Sequence, residues 1–459
     1  MPYEGEFASY HPLQRLVESP AVQALLRRQR IRQRPSSARP RLRSVTPADV
    51  TPSRWIPDWV LAIDGSHQPV TVENGFPGAE VGYVTVAAVL LDMAKVRQLD
   101  IQRPADPREF RTTQHTESID GALPGCNVVI DDHLSAKDSL RKALFEVFQG
   151  IRMAPDGESL LDTYQALLSH KPDTPRDQHC PYAPDDCHQP DHAFLRGDGE
   201  YVCPCSRKLP LYSTDALRIH EGMQTAGSNG AMFAEIMQVW ERIWVLHVLR
   251  TLELKAWLTA LRRIAIVLDG PLAVFGHPAW LSHSIYRELA RLNEAARSVN
   301  AGLDLLLIGI EKAGPFVDHL MQLDLSADGA PGRFPPRTAM LLDDPYIKQN
   351  IIFSDSQKPY GQDTYFGRKF FYKTASGALL VATLPFFSDD HRDLSSAEPH
   401  QFPRLGDAMT MLDELVSSRY PHSLAPIVAA HSEAAIPLHL GQRVLESLAR
   451  QLMAEPVQP

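Results

Sequence analysis

Several shortages in the sequence limit what the protein can be. The 459 residues carry no excess of positive charge, since the formal net charge is -9. That balance argues against a protein that coats nucleic acid with its whole surface, although a local basic groove would suffice. No run of about eighteen uncharged apolar residues is present to span a bilayer, and the first residues lack the layout of a signal peptide. We therefore expect a cytoplasmic protein without a membrane partner.

Cysteine is also scarce. Of five cysteines, four cluster in residues 171–212, where proline, aspartate and histidine crowd together. The four are Cys180, Cys187, Cys203 and Cys205. Their pair-gap-pair layout in a large intracellular chain predicts a closed, structural zinc site rather than disulfides. Three histidines are substitute ligands: His179, His188 and His192. The alternative is four reduced thiols in a loop.

What is present is enough apolar sequence, 44% of the residues, for a large core. We divide the chain into four parts: an N-terminal helix and arginine-rich arm (1–57), the first part of a core (58–170), a cysteine-rich insertion (171–212) and the rest of the core (213–459). The arginines of the arm have two interpretations, to which the sequence gives equal weight. They contact DNA phosphate or an acidic partner surface, or they form a solvated linker.

Two apolar runs end in the same way. Val60 to Ile63 leads into Asp64, followed by Gly65, and residues 264–268 lead into Asp269 and another glycine. Each run is typical of a buried strand that carries a carboxylate to its end, and we expect Gly65 and Ser66 to make a turn. Two such strands side by side would place two carboxylates together, which a divalent metal acting on a phosphodiester requires.

Further strands and helices predict an α/β fold. Residues 82–92 and 126–130 are strand candidates, and residues 303–310 form a third apolar run that ends near Lys312. A helix over 280–299 between two of these runs indicates a parallel strand pair, so we expect a mixed sheet flanked by helices. Lys312 is either a cation that stabilises the scissile phosphate or an ordinary surface lysine.

Local signals predict further elements on either side of this centre. Helices over 135–149 and 159–169 are expected to begin at the N-caps Ser135 and Ser159. Residues 364–373 and 378–386 are rich in aromatics and predict a hairpin.

A long helix over residues 231–261 supplies a third carboxylate. Glu253 lies sixteen residues before Asp269, and a helix that reverses into the strand would bring it to the strand end. From spacing alone, an exposed glutamate paired with Arg250 is the favoured interpretation. Glu235 and Glu241 compete for the same role.

Two residues near the C-terminus complete the candidates. His431 precedes a predicted last helix over 433–453 and is either a phosphate-binding or proton-transferring group or a buried, hydrogen-bonded histidine. For Tyr420, the local sequence alone favours a role in packing over a role in chemistry.

Together these motifs resemble the NurA nucleases, which work with the HerA hexameric ATPase. The resemblance rests on segments in the same order over residues 58–450: Ile63-Asp64-Gly65-Ser66, Arg250-Thr-Leu-Glu253, Leu268-Asp269-Gly270-Pro271-Leu272, Gly309-Ile-Glu-Lys312 and Tyr420-Pro to Ala430-His431. It implies an RNase H-like core, a homodimer that takes DNA ends, and endonuclease and 5′ to 3′ exonuclease activity with manganese or magnesium. The cysteine-rich segment looks like an insertion of longer bacterial members.

By motif, the resemblance makes Asp64, Glu253 and Asp269 the metal-binding carboxylates, with Lys312, Tyr420 and His431 as accessory groups. The expected function is DNA end processing in repair or in defence against phage. Two rivals are weaker: a dehalogenase-type phosphatase needs a second aspartate where Ser66 and Pro271 stand, and a non-catalytic adaptor for a ring ATPase would not need the carboxylates.

Overall fold

The computed structural model divides the chain into two compact units, Met1–Arg41 and Leu42–Pro459. The residues it describes are 11–29, 42–50, 55–72, 78–98, 114–172, 180–182, 187, 198–205, 207–326, 332–416, 424–435, 443–445 and 447–448. The first unit holds two short amphipathic helices, α1 (His11–Glu18) and α2 (Pro20–Arg28), and neither buries a residue. Within the described part of the chain, no helix is both long and apolar enough to cross a membrane.

A nine-stranded mixed sheet forms the centre of the second unit. In chain order the described strands are β1 (Arg43–Val45), β2 (Trp59–Val72), β3 (Ala79–Asp92), β4 (Gln114–Pro124), β5 (Glu200–Val202), β6 (Pro210–Tyr212), β7 (Ile264–Asp269), β8 (Leu306–Glu311), β9 (Thr338–Leu341), β10 (Gly367–Lys373) and β11 (Leu379–Pro385). The large sheet has the order β1-β9-β10-β11-β8-β7-β2-β3-β4, and β5 and β6 form a separate hairpin.

The strand directions divide the large sheet into three parts. β2, β3 and β4 form an antiparallel meander. β2, β7 and β8 are parallel neighbours, as the strand-helix-strand pattern predicts. The remaining strands are antiparallel and include the predicted aromatic hairpin of β10 and β11. The two parallel pairings lie in the middle of the sheet, where both faces are buried.

Helices cover both faces of this sheet. In the second unit they are α3 (Met93–Val96), α4 (Ala136–Gly150), α5 (Leu160–Leu168), α6 (Gly230–Leu254), α7 (Leu281–Val299), α8 (Pro315–Leu323), α9 (Asp344–Ile347), α10 (Asp389–Arg392), α11 (Leu405–Leu415) and α12 (Ala425–Ala434). On one face, α6 packs with α4, α5 and α7 in the largest apolar cluster. On the other, α12 packs against Ala62, Val89 and Leu91 of β2 and β3.

The helix starts follow from local sequence. Ser135 caps α4 by accepting a hydrogen bond from the backbone of Asp138. Ser159 caps α5 in the same way, and Asp162 returns a bond to the Ser159 backbone, which makes a capping box. Each cap satisfies backbone donors that the first helical turn leaves without a partner. Both N-caps predicted from the sequence are confirmed.

Two local predictions are wrong. Gly65 and Ser66 make no turn: β2 continues to Val72, and Gly65 pairs with Val86 in the ladder. Glycine stands there because a Cβ would come within 2.7 Å of the Met237 side chain of α6, so close packing, not a turn, accounts for it. Residues 126–130 form no strand. The predicted last helix falls largely outside the described residues.

The cysteine-rich segment has a small core of its own. Cys180, Cys187, Cys203 and Cys205 are buried together with Leu211. The buried Arg141 of α4 joins this segment to the main core. Its guanidinium donates to the Asp215 carboxylate at 2.6 and 2.7 Å, and it lies 4.6 Å from the ring centre of Tyr182. The four-part division of the chain stays a prediction.

Candidate active site

The register of two parallel strands brings Asp64 and Asp269 together. Ile63 of β2 is opposite Leu268 of β7, so the aspartate that follows each of them lies at the same level. Neighbouring strands are about 4.8 Å apart, and side chains at matching positions point to the same face. The two carboxyl groups are close enough to share a hydrogen bond. Convergence of these aspartates depends on strand pairing alone.

Lys312 lies between the two carboxylates. It follows directly after β8, and Ile310 of that strand is paired with Asp269. Its ammonium nitrogen is 2.9 Å from Oδ2 of Asp269 and 3.9 Å from Oδ2 of Asp64. A positive charge at this point offsets the repulsion between the aspartates. The side chain is about one-third exposed, at 32%, so Lys312 also faces the solvent.

His431 reaches Asp64 from α12. Its Nδ1 lies 3.0 Å from Oδ2 of Asp64, a hydrogen-bonding distance. Ala429 and Ala430, just before it, pack against β2 and β3 and fix the helix. The histidine side chain is 60% exposed while that of Asp64 is 4% exposed. The structure therefore excludes the alternative of a buried histidine.

The environment of Asp64 disfavours its charged form. Burial first, and the neighbouring charge of Asp269 second, raise the pKa of Asp64 to about 8, against the lowering effect of Lys312. Its Oδ1 accepts a hydrogen bond from the backbone of Gly65 at 2.8 Å. A buried carboxyl beside a second one is a site that an added divalent cation would stabilise.

Glu241 is the glutamate that reaches this part of the sheet. It is buried on α6, and its Oε1 lies 2.6 Å from the position a Cβ would take on Gly65. Because Gly65 has no side chain, the carboxylate approaches β2 one residue beyond Asp64, from the face covered by α6, whereas the Asp64 side chain points to the face covered by α12. The signal in the sequence was a glutamate inside an apolar helical stripe, four residues after Met237 and three before Trp244.

Glu253 is not brought to the aspartates. It lies in the last turn of α6, and Arg291 of α7 donates to its two carboxylate oxygens at 2.7 and 2.8 Å. Twelve residues separate it from Glu241, which is about 18 Å along a helix. Its exposed ion pair matches the interpretation favoured from spacing alone, although the partner is Arg291 rather than Arg250. Arg250 pairs with Glu158 and Glu288 instead.

Sequence reasoning missed Arg242, which is buried beside the site. Its guanidinium pairs with Glu241 and donates to the backbone carbonyls of Pro271 and Ala273, each at 3.2 Å. Burial lowers the pKa of Arg242 to about 10, while Asp269 and Asp64 act to raise it. Arg242 thus holds the loop after Asp269 and adds a positive charge near the acids.

Gly270 completes the turn after β7. Its φ of 82° lies in the left-handed region, which favours glycine, and a Cβ there would lie 3.1 Å from Nη2 of Arg242. Its N–H donates to the carbonyl of Ile310 at 2.8 Å, which ties the turn to β8. The Asp-Gly pair predicted to end this strand does so. Tyr420, the remaining predicted residue, lies outside the described residues.

The cysteine cluster is a second candidate metal centre. Sγ of Cys203 is 3.8 Å from the sulfurs of both Cys180 and Cys187. Sulfurs at the corners of a tetrahedron with bonds of about 2.3 Å to zinc lie about 3.8 Å apart, so the three fit zinc. Among the described residues this is the one group of three ligand atoms all within 4.8 Å of one another. The three substitute histidines lie outside the described residues.

Comparison with known proteins decides the family. A family model of the NurA domain matches residues 206–436, half of the chain. The chain belongs to the NurA family. The matched part includes Glu241, Asp269, Lys312 and His431, whereas Asp64 precedes it. The family assignment supports a DNA nuclease.

A solved structure adds a distant likeness. The chain in the crystal structure of the NurA nuclease from Sulfolobus solfataricus is 10% identical in sequence to this chain. The structural alignment covers 98% of each chain with a TM-score of 0.34. None of the curated proteins matches this chain.

Proposed function

We propose that this protein is a divalent-metal-dependent deoxyribonuclease in which Asp64 and Asp269 hold the metal and Glu241 is the candidate for a third carboxylate. The observation that carries the proposal is the paired register of β2 and β7, which sets two aspartates side by side. Carboxylate oxygens are the ligands that magnesium and manganese prefer. Glu241 takes the place that the sequence motif gives to Glu253.

The residues around this centre have separable roles. When bound, a divalent ion supplies Lewis-acid chemistry that eases deprotonation of water and offsets negative charge on the phosphate. Lys312 carries a fixed positive charge at the exposed rim and contacts an oxygen of the scissile phosphate. His431 is exposed and hydrogen-bonded to Asp64, and histidine is in general suited to proton transfer near neutral pH.

We propose that the core is RNase H-like, in the sense of three antiparallel strands followed by two parallel ones with acids on the first and fourth. The support is the order β4-β3-β2-β7-β8, in which Asp64 lies on the first strand of the set in chain order and Asp269 on the fourth. In such an order the two acidic strands are neighbours although some two hundred residues separate them. The topology therefore supports the same site as the side-chain distances.

A structural zinc ion in the cysteine cluster is part of the proposal. We assign Cys205 as the fourth thiolate, because it is buried in the same small core as the other three cysteines. Four protein ligands leave no open position, so the ion would stabilise the fold and take no part in cutting.

The biological setting follows from the family alone. We propose that a homodimer processes DNA ends together with a HerA-type hexameric ATPase, in repair or in defence against phage. Size-exclusion chromatography with light scattering, with and without the ATPase, tests this assembly. A monomer that does not bind the ATPase contradicts it.

A cutting assay tests the function. Purified protein should cut linear DNA with manganese and lose that activity with a chelator. Asp64→Asn should lower the rate by at least about a hundredfold because one charged ligand is lost, while its circular dichroism spectrum stays unchanged. Binding of DNA without metal-dependent cutting would instead identify a non-catalytic adaptor.

A further inference from the structure

A cavity of about 690 Å³ lies beside the start of α7. Cations and histidines from five separate stretches of the chain line it: Lys171, Arg218, His277, His283, Lys358 and Arg392. One carboxylate, Asp363, also lines it and forms an ion pair with Lys358. Trp280 lines it as well. We call this cavity the basic pocket. Four permanent cations around one cavity are a local concentration of positive charge in a chain whose net charge is -9.

Several of these cations are held by local contacts. Arg218 pairs with Glu221 at 2.8 Å, and Arg392 lies 4.7 Å from the ring centre of Tyr286. The ammonium of Lys171 lies 5.4 Å from the ring centre of Trp280. Such contacts fix a long side chain in advance, so that less conformational entropy is lost when a ligand binds. Convergent, preorganised cations in a concave site are suited to phosphate.

His283 lies in the same positive field. Burial first, and then Arg392, Arg287 and His170, lower the pKa of His283. A nearby cation disfavours a second positive charge, whereas an anion in the pocket would relieve that repulsion. The other histidine, His277, has a carboxylate partner, since Nδ1 of its ring is 3.0 Å from Glu235.

A short, pinned loop joins the basic pocket to the aspartates. The loop runs from Asp269 to His277, eight residues that span at most about 28 Å. The backbone N–H of Val274 donates to Thr364, and that of Phe275 donates to the Gln238 side chain. Together with the bonds from Arg242 to this loop, these contacts fix the pocket relative to the candidate metal site.

We propose that the basic pocket binds backbone phosphates of the DNA strand whose scissile phosphate lies at Asp64 and Asp269. This inference rests on the proposed nuclease function and adds a subsite to it. A strand held at two points lies in a fixed direction across the carboxylates. The pocket would therefore govern affinity and strand placement, not the chemical step.

A binding experiment separates the pocket from the chemistry. Fluorescence anisotropy with a labelled single-stranded oligonucleotide, in chelator and on the Asp64→Asn background, measures affinity without cutting. Adding Lys358→Gln and Arg392→Gln should weaken binding about tenfold and reduce the slope of log affinity against log salt by about 1.4, because two phosphate contacts are lost. Lys358→Gln alone, at a side chain that is 55% exposed, should give about half that slope change if the double variant unfolds.

The matched control replaces two exposed, ion-paired cations elsewhere, Lys142→Gln and Arg263→Gln. It should bind within about twofold of its parent, and binding of the pocket variant equal to this control would overturn the inference. A deoxynucleoside monophosphate in parallel tests the other source of phosphate. Loss of monophosphate binding without loss of strand binding would also overturn it.

With Asp64 intact, the pocket variant should cut with a raised KM and a kcat within about threefold of the unaltered chain. A protein that cuts DNA yet binds it independently of the pocket refutes only the subsite. A protein that never cuts refutes the nuclease proposal, and with it the placement of the strand at the aspartates.

Discussion

The two candidate metal centres are built in opposite ways. Asp64 and Asp269 lie on neighbouring strands in the middle of a nine-stranded sheet, and packing on both faces fixes their positions. The four cysteines lie on short irregular segments beside a hairpin of three-residue strands. The sheet places the carboxylates without help from an ion, whereas we expect a segment with so small a core to depend on one for its fold. On our proposal, a metal serves chemistry in the first centre and folding in the second.

The largest expected effect breaks the cysteine centre alone. Cys203→Ser with Cys205→Ser should abolish stoichiometric zinc and raise amide hydrogen exchange in β5 and β6 more than tenfold, since two ligands of the cluster are lost. The far-UV circular dichroism spectrum of the whole protein should hardly change, because the large sheet stays folded. Zinc analysis and hydrogen exchange by mass spectrometry measure both.

The fifth cysteine gives the matched control. Cys126 is buried outside the cluster, where its thiol contacts the carbonyls of Gly78 and Gly227. Cys126→Ser should keep the zinc and the slow exchange. Retained zinc in the double variant, or unfolding of the whole protein, would contradict the contrast between the two centres.

A second prediction decides which glutamate serves the carboxylate centre. Glu241→Gln should lower the rate of DNA cutting about a hundredfold, because Glu241 approaches β2 next to Asp64. Glu253→Gln should stay within about twofold, because that side chain pairs with Arg291 at the far end of α6. Rates at saturating manganese measure the difference. A larger loss of rate in Glu253→Gln than in Glu241→Gln would instead assign the metal-binding role to Glu253.

The smallest effect concerns pH and the metal-free protein. The folded chain raises the pKa of Asp64 from 3.8 to about 8. Folding therefore favours the protonated form, and the stability that this group contributes is lost as the pH rises from about 4 to about 8. Asp64→Asn does not titrate, so its Tm in chelator should exceed that of the unaltered chain by several degrees at about pH 8 and by little at about pH 5.

Thermal melts across this pH range provide the measurement. Asp120→Asn, at an exposed position on β4, is the control. The difference between its Tm and that of the unaltered chain should not grow as the pH rises. Manganese should raise the Tm of the unaltered chain and leave that of Asp64→Asn nearly unchanged, because only the charged carboxylate binds it. If the Tm difference between Asp64→Asn and the unaltered chain in chelator is the same at every pH, the raised pKa of Asp64 is contradicted.

Local sequence was enough for the parts of the fold in which each residue acts through its neighbours. Ser135 and Ser159 were predictable as caps, the apolar runs before Asp64 and Asp269 as strands, and β10 with β11 as a hairpin. Gly65 was misread as a turn because its reason is a side chain of α6, remote in sequence. Which glutamate completes the metal site depends in the same way on the packing of α6, and it stays a prediction.

The sequence by itself determined which residue types were available: two aspartates at the ends of apolar runs, a cluster of four cysteines and an acidic overall charge. Tertiary structure alone decided which of them meet. Strand register set Asp64 beside Asp269, the packing of α6 brought Glu241 rather than Glu253 to β2, and the fold collected the cations of the basic pocket from distant stretches. The physical reason is that pairing and packing join residues far apart in the chain, and no local pattern records which partners they join.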